Sequence, residues 1–247
     1  MDQILLNSTA DVFKKEYVIK ADQADENGRV TCGTLARLMQ DATTAHMASL
    51  GIGVDTLMEK DLLWVIVCTQ ININRLPKSG ETIEQYTWAG AEKFGMQTRR
   101  YAFFSKEGEE LLQAASLFLL VNKESRTLSE AEKETVNLPL VEIAGEPKLP
   151  KMMQKFPSLM FSKTHEVSAS EIDYNEHVNN AVYLEWADTI FDPEFTEEQE
   201  IKEYWIQYDQ EIVLGQKVEM KYASADNCAY LKGYVEGTEC FKMKIDF

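Results

Sequence analysis

The chain has 247 residues, of which 45% are hydrophobic and 10% aromatic, and its formal net charge at pH 7 is −16. This composition supports a well-filled core and excludes an intrinsically disordered chain. Because nucleic-acid phosphates and anionic lipid headgroups would repel so negative a protein, the charge argues against nucleic-acid binding and against a general affinity for membranes.

The sequence predicts no membrane span and no secretory leader. The longest apolar runs, residues 62–69 and 111–121, are far shorter than the ~20 residues that a helix needs to cross a bilayer. Residues 1–4 lack the basic region and apolar stretch of a signal peptide. The four cysteines show neither Cys-x-x-Cys spacing nor the density of a disulfide-rich protein. We therefore expect a cytoplasmic protein with reduced thiols.

The first half opens with a polar turn that leads into a helix. Residues 25–30 read Asp-Glu-Asn-Gly-Arg-Val, and an amphipathic segment follows them. Gly51 and Gly53 come directly after that segment, and glycine is a common residue just past a helix end. The residues that recur at helical spacing on its inner side are Leu35, Leu38, Met39, Ala42 and His46.

Four long strands are predicted next, rich in β-branched and aromatic residues. They cover residues 62–75, 81–91, 96–105 and 111–122, with turn residues between them. This order predicts an antiparallel meander. A polar, proline-containing segment, residues 131–158, is the predicted linker to the second half.

The second half repeats this order in a shorter form. Residues 173–178 match residues 25–30 at Asp, Asn and Val, 148 positions further along the chain. An apolar helical stripe follows, and strands are predicted at residues 203–214, 217–224, 229–235 and 241–247. The repeat predicts a duplication with domains at residues 11–130 and 159–247. Each domain would be a long helix packed against a curled antiparallel sheet, an α+β architecture.

The segment Asp173-x-Asn175-x-His177 is the strongest candidate for a functional site. On an extended backbone, residues at alternate positions share a face, so the acid, the amide and the imidazole could enter one pocket. The N-terminus of the following helix would aim N–H groups at the same place, which suits a developing oxyanion. In the first repeat Arg29 replaces the histidine, so that half is expected to have lost its chemistry.

In combination, these motifs resemble the acyl-ACP thioesterases, a family of tandem hotdog enzymes from plants and bacteria. The resemblance implies a double hotdog fold and hydrolysis of fatty acyl-ACP to free fatty acid and acyl carrier protein, without a cofactor or a metal. The positions that carry it are Leu63-Trp64-Val65, Gly95-Met96 before Arg99-Arg100, Asn122-Lys123 before Arg126-Thr127-Leu128-Ser129, and residues 173–180.

The resemblance also implies a catalytic glutamate beyond the motif, and Glu211 fits that position. Glu211 is the candidate general base, which would activate a water molecule held with Asn175 or His177. Asp173 would orient these two side chains, although direct attack by Asp173 stays an open alternative. The resemblance would place a cysteine nucleophile directly after the glutamate, but Ile212 stands there and cannot attack.

The first half is expected to hold the acyl chain, and the carrier protein is the expected partner. Because the carrier is acidic, its binding would require a local basic patch. A homodimer is compatible with the sequence. The predicted acyl-chain residues are Met39, Ala42, Trp64, Ile66 and Trp88. The candidate basic residues are Lys14, Lys15, Arg37, Lys148, Lys151, Lys155 and Lys163.

Three other functions stay open. An acyl-CoA thioesterase has a motif close to this one. A hotdog hydratase would use an aspartate and a histidine with one more residue between them than Asp173 and His177. A non-catalytic acyl-binding module would keep the apolar pocket but would need neither His177 nor Glu211.

Overall fold

The computed structural model describes residues 2–128, 136–152, 154–190, 200–225 and 227–247. Within these ranges the helices are α1 Gln3–Ser8, α2 Cys32–Ser49, α3 Val54–Met58 and α4 Val182–Ile190. The strands of the first half are β1 Phe13–Val18, β2 Leu62–Ile73, β3 Thr82–Lys93, β4 Met96–Ser105 and β5 Glu110–Asn122. Those of the second half are β6 Phe161–Glu166, β7 Glu203–Tyr208, β8 Lys217–Ala225, β9 Cys228–Val235 and β10 Thr238–Asp246.

All these strands form one ten-stranded sheet in the order β1-β3-β4-β5-β2-β7-β10-β9-β8-β6. Read outward from the centre, the two halves have the same strand order. They join where β2 pairs with β7 in antiparallel register, from Cys68 opposite Gln207 to Asn72 opposite Glu203. The predicted α+β architecture is confirmed, and the two sheets of the predicted repeats are continuous with each other.

The predicted duplication is visible in the positions of the elements. Strands β1 and β6 begin 148 residues apart, and so do the two 3₁₀ turns that follow them. Arg37 and Glu185 occupy equivalent positions in α2 and α4, and Arg37 Nη2 lies 2.8 Å from Glu185 Oε1. A residue can contact its own equivalent only beside the approximate twofold axis. The two helices therefore cross on that axis, and a β-carbon at Gly33 would come within 2.4 Å of Glu185 Cγ.

Helix α2 begins and ends close to the predicted positions. The hydroxyl of Thr31 accepts a hydrogen bond from the Thr34 N–H at 3.2 Å, which caps the first turn. Gly51 follows the helix with φ of +73°, a left-handed conformation that glycine adopts without strain. The buried side of the helix includes the predicted inner residues, Leu35, Leu38, Met39, Ala42 and His46.

Some predicted elements are corrected by the structure. The predicted strand at residues 203–214 ends at Tyr208, which is the last residue that pairs with β10, and residues 209–216 form a loop. Strands β1 and β6 and the short helix α1 were not predicted. Both strands lie at the edges of the sheet. An edge strand is open to solvent along one side and can carry many polar residues, so it lacks the clear alternation of apolar and polar residues that predicts a strand.

The outer face of the first half, opposite the face that α2 covers, carries its own apolar cluster. Part of the predicted linker packs there: the Val141 N–H donates to the Ala89 carbonyl at 2.8 Å, and Arg100 lies 3.1 Å from Glu146. Residues 131–135 and 153 of that linker lie outside the described residues, and the domain boundaries stay a prediction. The cluster contains Leu6, Tyr86, Trp88, Ala102, Phe104, Val141 and Ile143.

None of the helices in the described ranges is both long enough and apolar enough to cross a membrane.

A buried cation holds α2 to the sheet. Arg99 on β4 is only 4% exposed, and its Nη1 lies 3.1 Å from His46 Nδ1 and 3.2 Å from Thr87 Oγ1. Because a guanidinium only donates, the His46 Nδ1 must accept, so the imidazole is neutral. Burial, together with the charge of Arg99, lowers the pKa of His46 to about 4.

We expect this histidine to make the protein less stable in mild acid. Between the unfolded pKa of about 6.5 and the folded value, the unfolded chain binds more protons, so the free energy of unfolding falls as the pH drops. The loss is on the order of 3 kcal/mol. Urea unfolding of the protein and of His46→Gln, which keeps an acceptor for Arg99 but does not titrate, measures it. Equal pH dependence in the two proteins would contradict the assignment.

Candidate functional site

A cavity of about 470 Å³ lies between α2, the inner face of the first half of the sheet and the loops before α4. Its volume is in the range of small-molecule sites. Much of its wall is apolar and comes from the first half. The larger apolar side chains in the wall are Met39, Met47, Leu57, Leu62, Trp64, Ile66 and Phe118.

The second half adds a polar part to the wall of the same cavity. Asp173, Asn175, Asn179, Asn180 and Tyr208 all line it. The Tyr208 hydroxyl donates to the Asn180 carbonyl at 3.0 Å, which ties the end of β7 to the loop before α4. Both halves therefore contribute to one site, and the cavity lies near the β2–β7 junction.

The Asp-x-Asn-x-His segment is a tight turn, not an extended strand. The Asp173 N–H donates to the His177 carbonyl at 2.9 Å, and the Asp173 Oδ1 accepts from the Asn175 N–H at 2.8 Å. Glu176 has φ of +67°, in the left-handed region. The expectation that the three side chains share one face is therefore wrong. Asp173 and Asn175 line the cavity, whereas His177 is not among its lining residues.

The equivalent turn in the first half shows what is special about Asp173. There Asp25 Oδ1 accepts from the N–H groups of Asn27 and Arg29, at 2.9 and 2.8 Å. Its second oxygen, Oδ2, accepts from Arg29 Nε at 3.1 Å. At Asp173, Oδ1 makes the same kind of turn contact, and the backbone N–H of His177 also donates to the carboxylate. No side chain of the described residues donates to this carboxylate as Arg29 does to Asp25, because histidine replaces the arginine.

His177 instead contacts Glu211. Its Nε2 lies 3.0 Å from Glu211 Oε2, and both side chains contact Arg126. Arg126 Nη1 is 3.4 Å from Glu211 Oε1, and its Nη2 is 3.5 Å from His177 Nε2. Arg126 comes from the turn after β5 in the first half, and its φ of 55° is in the left-handed region.

Glu211, the predicted general base, lies apart from the cavity wall. It lies in the loop after β7, its side chain is 40% exposed, and it is not among the cavity-lining residues. The acid in the cavity wall is Asp173. Burial raises the pKa of the Asp173 carboxyl above its ordinary value, and hydrogen bonds from backbone N–H groups offset part of that rise. A higher pKa makes a carboxylate a better base.

The start of α4 faces the same polar wall. The Asn179 Oδ1 accepts from the Ala181 N–H at 2.9 Å, and the Asn179 carbonyl accepts from the Val182 N–H at 2.9 Å. Through these two contacts Asn179 closes the turn that leads into α4. Because Asn179 and Asn180 line the cavity, the positive end of the helix dipole is directed toward it.

Three of the five predicted acyl-chain residues line the cavity: Met39, Trp64 and Ile66. Ala42 is fully buried but is not among the lining residues, and Trp88 belongs to the outer apolar cluster. Successive strand residues alternate between faces. Thr87 contacts Arg99 on the inner face, so the neighbouring tryptophan must point outward. The prediction for these two residues is wrong.

Sequence reasoning missed several lining residues on the inner face. They are polar, and a pattern search for apolar alternation passes over them. The missed residues with side chains in the wall include Thr43, Thr69, Tyr101 and Ser116.

The predicted basic patch is partly neutralised. Lys14 lies 2.9 Å from Glu84, Lys15 lies 2.6 Å from Asp41, and Arg37 pairs with Glu185. Lys123, which was not in the predicted patch, lines the cavity.

Comparison with known families and structures agrees with this architecture. Residues 10–138 match the acyl-ACP thioesterase N-terminal domain, and residues 157–247 match the C-terminal domain. Structures of similar fold include an acyl-ACP thioesterase from Bacteroides thetaiotaomicron (TM-score 0.85, 21% identity, 100% of both chains). Another is the 12:0-ACP thioesterase from Umbellularia californica (TM-score 0.82, 21% identity, 96% of this chain and 97% of the other). The double hotdog fold is confirmed.

Curated relatives carry the same family name. The chain is 28% identical over 215 residues to the chloroplastic palmitoyl-acyl carrier protein thioesterase of Cuphea hookeriana, covering 81% of this chain and 52% of that protein. It is 25% identical over 231 residues to the chloroplastic oleoyl-acyl carrier protein thioesterase 1 of Arabidopsis thaliana, covering 85% and 64%. The chain thus spans about half to two thirds of the length of these relatives. With both domain models matched in order along one sheet, this chain belongs to the acyl-ACP thioesterase family.

Proposed function

We propose that the chain hydrolyses fatty acyl-ACP to free fatty acid and acyl carrier protein, by attack of water on the thioester. The observation that carries this proposal is the cavity itself. An apolar wall from the first half meets a half-buried carboxylate, Asp173, beside the N-terminus of α4. Family membership supports the same reaction, since the similar curated proteins are named as acyl carrier protein thioesterases and hydrolases.

In this mechanism Asp173 is the general base. Its Oδ2 takes a proton from water as the water oxygen bonds to the thioester carbonyl carbon, and Asn175 helps to hold that water. The tetrahedral oxyanion is stabilised by the positive end of the α4 helix dipole. Collapse of the intermediate breaks the carbon–sulfur bond. The thiolate, whose conjugate acid has a pKa of about 8.5, then takes the proton back from Asp173.

Glu211 then has a different role from the predicted one. Together with Arg126 it holds His177 at 3.0 Å, and so fixes the end of the turn that carries Asp173. The backbone N–H of His177 also donates to the Asp173 carboxylate. Glu211 is therefore proposed as a positioning residue, whose loss disturbs the turn without removing the base.

We expect Asp173→Asn to lower kcat/KM for acyl-ACP by at least ~100-fold, the usual scale for loss of a general base. The matched control is Asp25→Asn, which changes the equivalent residue of the first half outside the cavity wall. Steady-state hydrolysis of one acyl-ACP by both variants, with thermal melting as a check on folding, makes the comparison. Near-normal turnover by Asp173→Asn would return the role of base to Glu211.

We expect Glu211→Gln to retain more activity than Asp173→Asn. The amide oxygen of glutamine can still accept a hydrogen bond from His177, so the turn keeps that support, while the carboxylate and its contact with Arg126 are lost. The measurement is kcat/KM of the two variants on the same acyl-ACP. If Glu211→Gln is the more damaged of the two, its carboxylate takes part in the chemistry.

The alternative function is that of an acyl-CoA thioesterase. The two functions differ in the carrier of the acyl group, which is acyl carrier protein in one and coenzyme A in the other. Three of the predicted cations are paired with carboxylates, so docking of an acidic carrier would rest on the others, among them Lys148, Lys151 and Lys155. We expect kcat/KM to be higher for acyl-ACP than for the same acyl-CoA, and to fall with added salt. An equal or reversed preference favours the CoA enzyme. Binding of acyl thioester without any turnover would indicate the acyl-binding module.

The cytoplasmic location stays a prediction. The homodimer stays a prediction, and size-exclusion chromatography with light scattering tests it.

A further inference from the structure

The turn that carries the proposed base and the loop after β7 present exposed apolar side chains next to each other. Tyr174 in the turn is 65% exposed, and in the loop Leu214 is 58% and Val213 37% exposed. The two segments are joined by a hydrogen bond from the Val178 N–H to the Ile212 carbonyl at 2.8 Å. We call Tyr174, Val213 and Leu214 the apolar patch.

The first half contains the same two segments, held by the same hydrogen bonds. There the Val30 N–H donates to the Pro77 carbonyl at 2.8 Å, which matches the bond between the two segments of the second half. In the next residue of the loop, the Lys78 N–H donates to the Glu81 side chain at 2.8 Å, and the corresponding N–H, that of Val213, donates to a glutamine side chain at 2.9 Å. The two loops therefore correspond residue by residue.

The residues that correspond to the apolar patch in the first half are all exposed and all polar. Glu26 corresponds to Tyr174, and Lys78 and Ser79 correspond to the valine and the leucine of the loop. The backbone of these segments is therefore compatible with polar side chains, which water favours. Three exposed apolar side chains grouped in one half, where the other half has polar ones, indicate a surface that contacts a partner.

The apolar patch lies where the cavity is open to solvent. Tyr174 belongs to the patch and also lines the cavity, and the exposed Lys123 lines the cavity as well. Lys123 makes no ion pair with another residue of the described ranges. The turn that carries it contacts the loop of the patch, because Arg126 Nη1 lies 3.4 Å from Glu211 Oε1. An apolar surface and an unpaired cation therefore lie together at the mouth of the cavity.

We propose that the acyl carrier protein docks on the apolar patch, with its acidic side chains beside Lys123. This inference rests on the proposed function, because it names the surface that holds the carrier while the acyl chain lies in the cavity. The thioester is attached to the carrier by a flexible arm, so the carrier must lie at the mouth through which that arm enters. Because this chain has a net charge of −16 and the carrier is acidic too, overall charge opposes their association. Burial of apolar surface supplies an attraction that does not depend on charge.

The test compares acyl-ACP with acyl-phosphopantetheine of the same chain, which has the complete arm but no carrier. Leu214 does not line the cavity, so Leu214→Ser should leave hydrolysis of acyl-phosphopantetheine unchanged. We expect the ratio of kcat/KM for acyl-ACP to kcat/KM for acyl-phosphopantetheine to fall by about 5-fold or more, the usual effect of truncating a residue that contributes to an interface. Leu214→Asp should lower the ratio further, since its charge repels the acidic carrier.

The matched controls are Leu140→Ser and Leu140→Asp. Leu140 is 55% exposed, close to the value for Leu214, but it belongs to the linker and pairs with Ala89 at the far side of the first half. Both controls should keep the ratio of the unchanged protein. Lys123→Glu reverses the charge at the mouth and should lower the ratio as Leu214→Asp does. Thermal melting of each variant checks folding, and a general loss of activity cancels because the readout is a ratio within one protein.

The failures can be told apart. A ratio of about 1 in the unchanged protein, or a ratio that neither Leu214 variant lowers, overturns the docking surface alone. If Leu214→Asp converts a dimer into a monomer in light scattering and leaves the ratio unchanged, a second copy of this chain covers the patch and the assignment to the carrier is wrong. Absence of turnover for both thioesters overturns the proposed function, and the inference with it.

Discussion

The pairing of β2 with β7 is the interaction on which the rest of the structure depends. It runs from Cys68 opposite Gln207 to Asn72 opposite Glu203, and makes one sheet of two halves that have the same strand order. Because the pairing lies beside the approximate twofold axis, α2 and α4 are brought together on one face, where Arg37 reaches Glu185. The cavity walls can then come from both halves. A hotdog that stood alone would have only one of these two walls.

Duplication followed by divergence explains how the site obtained its carboxylate. In both halves an aspartate closes the same turn by accepting backbone N–H groups, so the fold requires this residue type twice. Asp25 is fully engaged because Arg29 takes its second oxygen. In the second half His177 stands at the position equivalent to Arg29, and its side chain contacts Glu211 and Arg126. The two aspartates thus close the same turn but differ in their surroundings, because Asp25 contacts Arg29 and Asp173 lines the cavity.

Much of the fold was predictable because the repeat and the long strands follow from local pattern. The edge strands β1 and β6 were not predictable in this way, because the solvent-facing residues of an edge strand are under few packing constraints. Residues 173–177 form a turn but were predicted to be extended, because Asp173, Asn175 and His177 stand at alternate positions, as the residues on one face of a strand do. Asparagine and aspartate favour turns, and that preference decides the structure here. The contact of Arg126 with Glu211 joins residues 85 positions apart in different halves, and no local pattern reports such a contact. The outward position of Trp88 could be assigned only once the inner face of β3 was known, and the contact of Thr87 with Arg99 identifies that face.

The division of labour between the halves constrains how this site can change. In the proposed mechanism the chemistry rests on the turn and on the start of α4, which are held by backbone hydrogen bonds such as that from the Val178 N–H to the Ile212 carbonyl at 2.8 Å. Ile212 is fully buried, so its side chain serves the core rather than the reaction. The apolar part of the cavity wall comes largely from α2, α3, β2 and β5 of the other half. Substitutions there can alter which chain is accepted while the carboxylate and its turn stay in place. Because protein interiors are close-packed, adding or removing one methylene or hydroxyl group in that wall changes the space that the ligand can occupy.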